Sequence, residues 1–307
     1  MIALYILVGL LAVFVLLLYF IYRRTFYASR RQRLSANPYE LPFGAGECNE
    51  KMRELITAVK DRPYERVTVI ARDGTLLSAR YHHVADGAPL EIQCHGYRGV
   101  SVREFCGGNR LAAELGHNTL LIDQRAHGES GGHTITFGIR ERYDILDWIG
   151  YARRRFGDVP ILLVGVSMGG ASVLMASGEQ LPECVVGVVA DCPYSSPRDI
   201  ICSVLRTMQL PPAVAYPMVS AAARVFGRFS LAECTALDAV LRARVPIRIL
   251  HGEADTLVPC DMSRAIAAAS DLVTLVTFPG AEHGMSFMSD PDRYQRAVID
   301  FCRNILG

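Results

Sequence analysis

Residues 2 to 22 carry no charged side chain, and 21 residues of helix rise about 31 Å, close to the roughly 30 Å of a bilayer's hydrocarbon core. The pattern predicts a membrane-spanning helix. Residues 34 to 65 read as a linker containing Pro38, Pro42, Gly44 and Gly46, with a short helix from about Lys51 to Asp61 stopped before Pro63. Val67, Val69 and Ala71 then recur at every second position, Asp73-Gly74 turns the chain, and a second strand runs from Leu76 to His82. Together they form a β-hairpin signature.

Beyond the hairpin the apolar runs shorten and lose alternation: Leu90 to Cys94, Thr119 to Ile122, Ile161 to Val166, Val185 to Ala190, Ile247 to Leu250 and Leu272 to Phe278. Such runs suit strands buried on both faces. Between them lie helical patterns, such as Ile139, Tyr143, Leu146, Ile149, Ala152 and Phe156. Strand and helix alternate, which predicts an α/β fold: a mostly parallel central sheet with helices on both faces. One connection is longer, about 50 residues between Asp191 and Pro246, broken by Pro211-Pro212 and Pro217. Its apolar stretches, Ile200 to Leu210 and Val214 to Phe226, suggest a helical cap at about 195–244. The expected organisation is an anchor at 1–22, a basic juxtamembrane segment and linker at 23–65, and one α/β domain at 66–307.

Half of the 307 residues are apolar and 21% are charged, which excludes disorder, collagen and coiled coil. The net charge of +1 includes Arg23, Arg24, Arg30, Arg31 and Arg33 in a stretch without acids, so the rest is net negative and nucleic acid is excluded as a partner. These arginines follow the apolar span and none precedes it, which predicts a single-pass protein with its catalytic domain in the cytoplasm. A cleaved signal peptide requires a basic start and a small-x-small site, and Phe26 and Tyr27 occupy the position that should be small. Tyr19, Tyr22, Phe26 and Tyr27 are expected at the membrane interface. Nine cysteines, odd in number and without a C-x-x-C pair, read as free thiols in a reducing compartment. No dinucleotide fingerprint, phosphate loop or H-E-x-x-H spacing occurs, so neither cofactor nor metal is expected.

Gly-x-Ser-x-Gly occurs twice, at Gly128 to Gly132 and Gly165 to Gly169. A nucleophile elbow requires a strand entering the serine and a helix leaving it. Only the second copy has both: Ile161-Leu-Leu-Val164 leads in, and Gly169 to Ala176 leaves as a helix of small residues.

From about Arg66 to the end the chain resembles the serine α/β-hydrolase superfamily, most closely its membrane-anchored bacterial Bem46-like hydrolases. The motifs that carry this are His95-Gly-Tyr-Arg-Gly99, Asp123-Gln-Arg-Ala-His-Gly-Glu-Ser130, the Ser167 elbow, His251-Gly-Glu-Ala-Asp-Thr-Leu-Val-Pro259 and Glu282-His-Gly284. The resemblance implies an α/β-hydrolase fold with chain order serine, acid, histidine. Ser167 is then the nucleophile, His283 the base and Asp255 the acid that orients it. Asp191 also ends a strand and competes for the acid's role; Glu253 has the shorter reach. The oxyanion hole is expected from the backbone N–H groups of Tyr97 and Met168. His95 and His251 are expected to bond loops, His82 and His83 lie on the hairpin, and His127 and His133 could border the pocket. Asp123 and Arg125 read as a structural lock.

The expected activity is hydrolysis of a carboxylic ester, thioester or related acyl bond through an acyl-enzyme, on a small-molecule or lipid-like acyl substrate. A serine peptidase or amidase on the same triad, and a non-catalytic membrane scaffold, are the alternatives.

Overall fold

The computed structural model describes residues 1–41, 46 and 48–307; Pro42 and Gly44 of the expected linker lie outside the described residues. Strands β1 (Glu65–Ile70), β2 (Leu76–His82), β3 (Leu90–Cys94), β4 (Asn118–Asp123), β5 (Ile161–Val166), β6 (Val185–Asp191), β7 (Ile247–Gly252) and β8 (Val273–Phe278) form one sheet. Their order is β1-β2-β4-β3-β5-β6-β7-β8. The opening hairpin pairs antiparallel, with Val69 opposite Leu77, and from β4 to β8 all neighbours are parallel. Because β3 lies between β4 and β5, the chain turns opposite ways after β3 and after β4. That reversal opens a crevice at the carboxyl ends of the strands.

The continuous apolar runs follow from cover on both faces. Ile161 and Leu163 of β5 point to a core shared with Ile145, Trp148 and Ile149 of α6 (Glu141–Phe156) and with Val173 and Leu174 of α7 (Met168–Ser177). Leu162, between them in sequence, points to the other face and meets Phe301 and Val298 of α13 (Pro291–Leu306). On that second face, α3 (Glu50–Asp61) buries Ile56 and Val59 near α4 (Ser101–Glu104) and α5 (Cys106–Glu114). Packing thus begins N-terminal of the expected start at residue 66.

Between β6 and β7 the chain forms α8 (Pro197–Thr207), α9 (Pro212–Ala222), a π-helical turn (Ala223–Gly227) and α10 (Ala236–Val240). Ser196 starts α8 by accepting from the Asp199 N–H, with Pro197 at its first position. The remaining helices are α2 (Arg30–Leu34), α11 (Asp261–Ala269) and α12 (Ser286–Ser289).

The N-terminal helix α1 (Ile2–Thr25) is long and apolar enough to cross a membrane, and most of it stands clear of the rest of the protein. Its last turns do not. Leu18, Tyr22 and Phe26 are buried with Phe137, Phe229 and Ala222, and Phe26 is 0% exposed. Tyr22 and Phe26 therefore depart from the expected interfacial role: their rings are packed in protein, Phe26 edge-on to Phe137 and Phe229. Sequence periodicity could not reveal this, since an aromatic girdle and an aromatic docking site look alike before the partner rings are known.

Candidate active site

The crevice at the carboxyl ends of β3, β5, β7 and β8 brings the expected residues together. Ser167 sits between β5 and α7 with φ of 54° and ψ of −114°, a conformation that costs a non-glycine residue on the order of 1–3 kcal/mol. It is held by its own N–H donating to the Asp191 carbonyl over 2.8 Å, while Ala171 N–H returns to the Ser167 carbonyl at the start of α7. The flanking glycines allow close approach. A Cβ on Gly169 would lie 1.8 Å from the Cys94 carbonyl oxygen, and one on Gly165 would lie 2.3 Å from the Gly169 carbonyl oxygen. Larger residues would push α7 off the sheet and tilt the serine away.

His283 follows β8 and Asp255 follows β7. Ala254 N–H donates to the Ala281 carbonyl over 3.0 Å, stitching the two loops side by side. His283 Nε2 lies 2.9 Å from Ser167 Oγ, and Nδ1 lies 2.6 Å from Asp255 Oδ2. Asp255 Oδ1 accepts the N–H groups of Leu257 (3.0 Å) and Val258 (2.8 Å), and His251 Nε2 stands 3.3 Å from Oδ2. Burial works to raise this carboxyl, but the bonds from His251, His283 and Val258 prevail and hold it down at about 2. Asp255 is therefore ionised, buried and aimed at one ring nitrogen.

Asp191, the competing acid, is buried at the end of β6 and is bonded by Tyr294 and by Ser286 Oγ at 3.4 Å. Burial pushes its carboxyl up to about 6, against the pull of His251 and His283. Glu253 extends toward Arg264 instead, 3.8 Å away. Cys192 brings a third donor within 4.8 Å of Asp255 and His283. Burial beside Asp191 pushes its thiol well up, so it stays protonated, and both His283 nitrogens are engaged. This donor set suits proton transfer better than metal ligation.

Tyr97 and Met168 belong to one apolar cluster, Met168 buried and Tyr97 partly so. Met168 is the first residue of α7, where a backbone N–H has no carbonyl four residues back to bond. The loop after β3 is pressed against the elbow, so a Cβ on Gly96 would lie 3.2 Å from Ser167 Cβ. Three side chains hold this loop, and of these only Glu104 is absent from the sequence reading. Glu104 accepts the Gly96 N–H, His127 Nε2 accepts the Arg98 N–H at 2.8 Å, and Tyr97 Oη donates to the Thr25 carbonyl at 2.7 Å. Burial beside His95 lowers His127, which keeps it a neutral acceptor. Glu104 has no spacing signal in sequence; the His95 motif marks the loop but not its tethers.

The other expectations sort by packing. His95 Nε2 accepts from the Gln124 N–H, and His251 bonds Ser263 and the Val258 carbonyl, both as loop ties. His133 bonds the Ala28 carbonyl and stacks on Tyr27. Arg125 makes buried bonds to Asp144 (2.7 and 2.5 Å) and one to Asp73, and Asp123 accepts from Ser101 and the Glu129 N–H. Both anchor the loop after β4.

Residues 92–231 match the family described as alpha/beta hydrolase fold, and residues 207–300 match the dienelactone hydrolase family. The structure is similar to the esterase Pf2001 of Pyrococcus furiosus, with a TM-score of 0.68 and 21% identity over 87% of this chain and 98% of that one. It is also similar to Est1E of Butyrivibrio proteoclasticus, solved with ferulic acid bound, with a TM-score of 0.62 and 24% identity over 78% and 99% of the two chains. In sequence it is 25% identical to the uncharacterized protein YqkD of Bacillus subtilis over 229 residues, 73% of this chain and 75% of that one. The uncharacterized protein YfhR of Escherichia coli is 25% identical over 253 residues, 79% and 82% of the two chains. The fold is that of the α/β hydrolases, and the matches to hydrolase families lie within residues 92–300. The narrower likeness to Bem46-like hydrolases rests on the sequence motifs.

Proposed function

We propose that the protein is a serine hydrolase of the ester-cleaving class, EC 3.1, which splits a carboxylic ester, thioester or related acyl bond through an acyl-enzyme on Ser167. The observation that carries this reading is the unbroken line of hydrogen bonds from Ser167 Oγ through His283 to Asp255. His283 Nε2 takes the hydroxyl proton as Oγ attacks the acyl carbon. Asp255 keeps the imidazole in the right tautomer and stabilises the imidazolium. The N–H groups of Tyr97 and Met168 hold the oxyanion, each such donor typically being worth about 2.7–4 kcal/mol in the transition state. Collapse expels the leaving group with the proton from His283, and water, deprotonated by the same nitrogen, releases the acid and restores the serine.

Esterase structures among the similar folds support an ester substrate, and the apolar cap supports an acyl or lipid-like group. In this reading α1 anchors the protein in a membrane, and the arginines that follow it favour a cytoplasmic catalytic domain. The free thiols of Cys94, Cys106, Cys192, Cys202, Cys260 and Cys302 agree with that side.

Labelling by a fluorophosphonate probe, wild type beside Ser167→Ala, tests the chemistry. Labelling is expected in the wild type and absent in the variant; equal labelling of both removes Ser167 as nucleophile. A p-nitrophenyl ester series then sizes the acyl site, and faster cleavage of peptide amides than of esters would favour a peptidase.

A further inference from the structure

The arm formed by α8 and α9 has a surface that the proposed reaction does not use. From Thr207 to Ala223 no side chain is charged. Met208, Leu210, Val214 and Val225 are exposed, Met208 at 61% and Val214 at 65%. Contiguous apolar groups left in the open mark a surface that meets something apolar.

The neighbour of this arm identifies what covers it. α9 packs along α1, and Phe226, in the turn that follows α9, meets Tyr19 and Tyr22 with ring centroids 5.3 and 5.9 Å apart. Val219, Ala222 and Ala223 are buried in the same cluster as Leu18 and Tyr22. These contacts fix the last turns of α9 to α1 between Leu18 and Tyr22, at the domain end of the charge-free span, so the exposed arm from Met208 to Val214 is joined to α1 where that span leaves the domain.

We infer that the tip of this arm, residues 208–214, is a second membrane contact, seated at the boundary of headgroups and acyl chains in the leaflet that α1 enters from the domain. The inference rests on the reading of α1 as a membrane-spanning helix. Helices that lie in this way bury an apolar face about 5–10 Å deep, with basic residues at its edge. Arg206 and Arg224 bracket the arm, and their long stems allow the guanidinium groups to reach the phosphates. The buried cluster that holds the root of the arm, Leu205, Val219 and Ala222, also contains Phe137, Tyr194 and Met168, the residue after Ser167.

The test uses the full chain, whose single tryptophan, Trp148, is buried in the core. Three variants, Val214→Trp, Leu7→Trp and Leu241→Trp, are placed in phosphatidylcholine vesicles with and without bromine on the upper acyl chain. Leu241 is exposed and adjoins Arg242, which donates to the Gly178 carbonyl at the end of α7 remote from Ser167. Bromine is expected to reduce the added emission at positions 214 and 7 and to leave that at 241 unchanged. Loss at 7 without loss at 214 overturns the inference and leaves the anchor standing. Loss at neither position overturns both. Emission at 214 that ignores bromine but shifts to the blue with protein concentration overturns the inference in favour of a second copy of this chain.

Discussion

The hydroxyl of Tyr97 donates to the carbonyl oxygen of Thr25, so the loop after β3 is fastened to the last turn of α1. The Arg98 guanidinium joins it, donating to the carbonyls of Arg24 and Tyr27 at 2.9 and 3.2 Å. The final carbonyls of a helix have no intrahelical partners and favour a cation nearby. The loop thus caps the helix while the helix orders the loop. Tyr97→Phe keeps the ring stacked on Phe137 but removes the hydroxyl. It is expected to lower stability by about 1 kcal/mol, read from the denaturant midpoint in detergent.

The two buried carboxylates are expected to behave differently. Asp255→Asn leaves the fold in place but presents a donor to His283 Nδ1, which disturbs the tautomer; a loss of about 10⁴ in kcat is expected. Asp191→Asn preserves the packing against Ser286 and Tyr294 and is expected to keep most of kcat. Equal losses in the two variants would show that the acid's role is shared.

Gly169→Ala would drive a methyl group into the Cys94 carbonyl, a backbone atom that cannot swing aside. A penalty on the order of 3 kcal/mol or more is expected, with loss of fluorophosphonate labelling before loss of helical signal on heating. Gly280→Ala, where no atom lies within 4 Å, serves as a control for strain without crowding, since its φ is positive at 71°.

His82 supplies a pH dependence. It is fully buried in β2, with Nδ1 3.1 Å from the Pro63 carbonyl. Burial lowers its pKa to about 4, the Pro63 bond opposing. Between pH 6.5 and 4 the unfolded chain therefore binds the extra proton, and stability falls as pH falls through that window. From pH 7 to pH 5 a loss of about 2 kcal/mol is expected from this residue. His82→Phe should remove that increment from unfolding curves measured at the two pH values.

The α/β architecture was legible because each buried strand left its own apolar run and each covering helix its own periodicity. Ser167 was legible too, because an elbow needs a strand, a tight turn and a helix in immediate succession, all local in sequence. The acid was less so. Asp191 and Asp255 both follow strands, and only the stitch between Ala254 and Ala281 brings the Asp255 loop beside His283.

By itself the sequence determined the strand and helix succession, the apolar N-terminal helix, and the local turn that raises Ser167, since these depend on residues near one another in the chain. The tertiary structure alone decided which carboxylate meets His283, how Glu104 and His127 hold the loop after β3, and that Phe26 is packed between Phe137 and Phe229. Those pairings join different elements, most of them tens of residues apart, and no periodicity encodes a contact whose two halves lie on different elements.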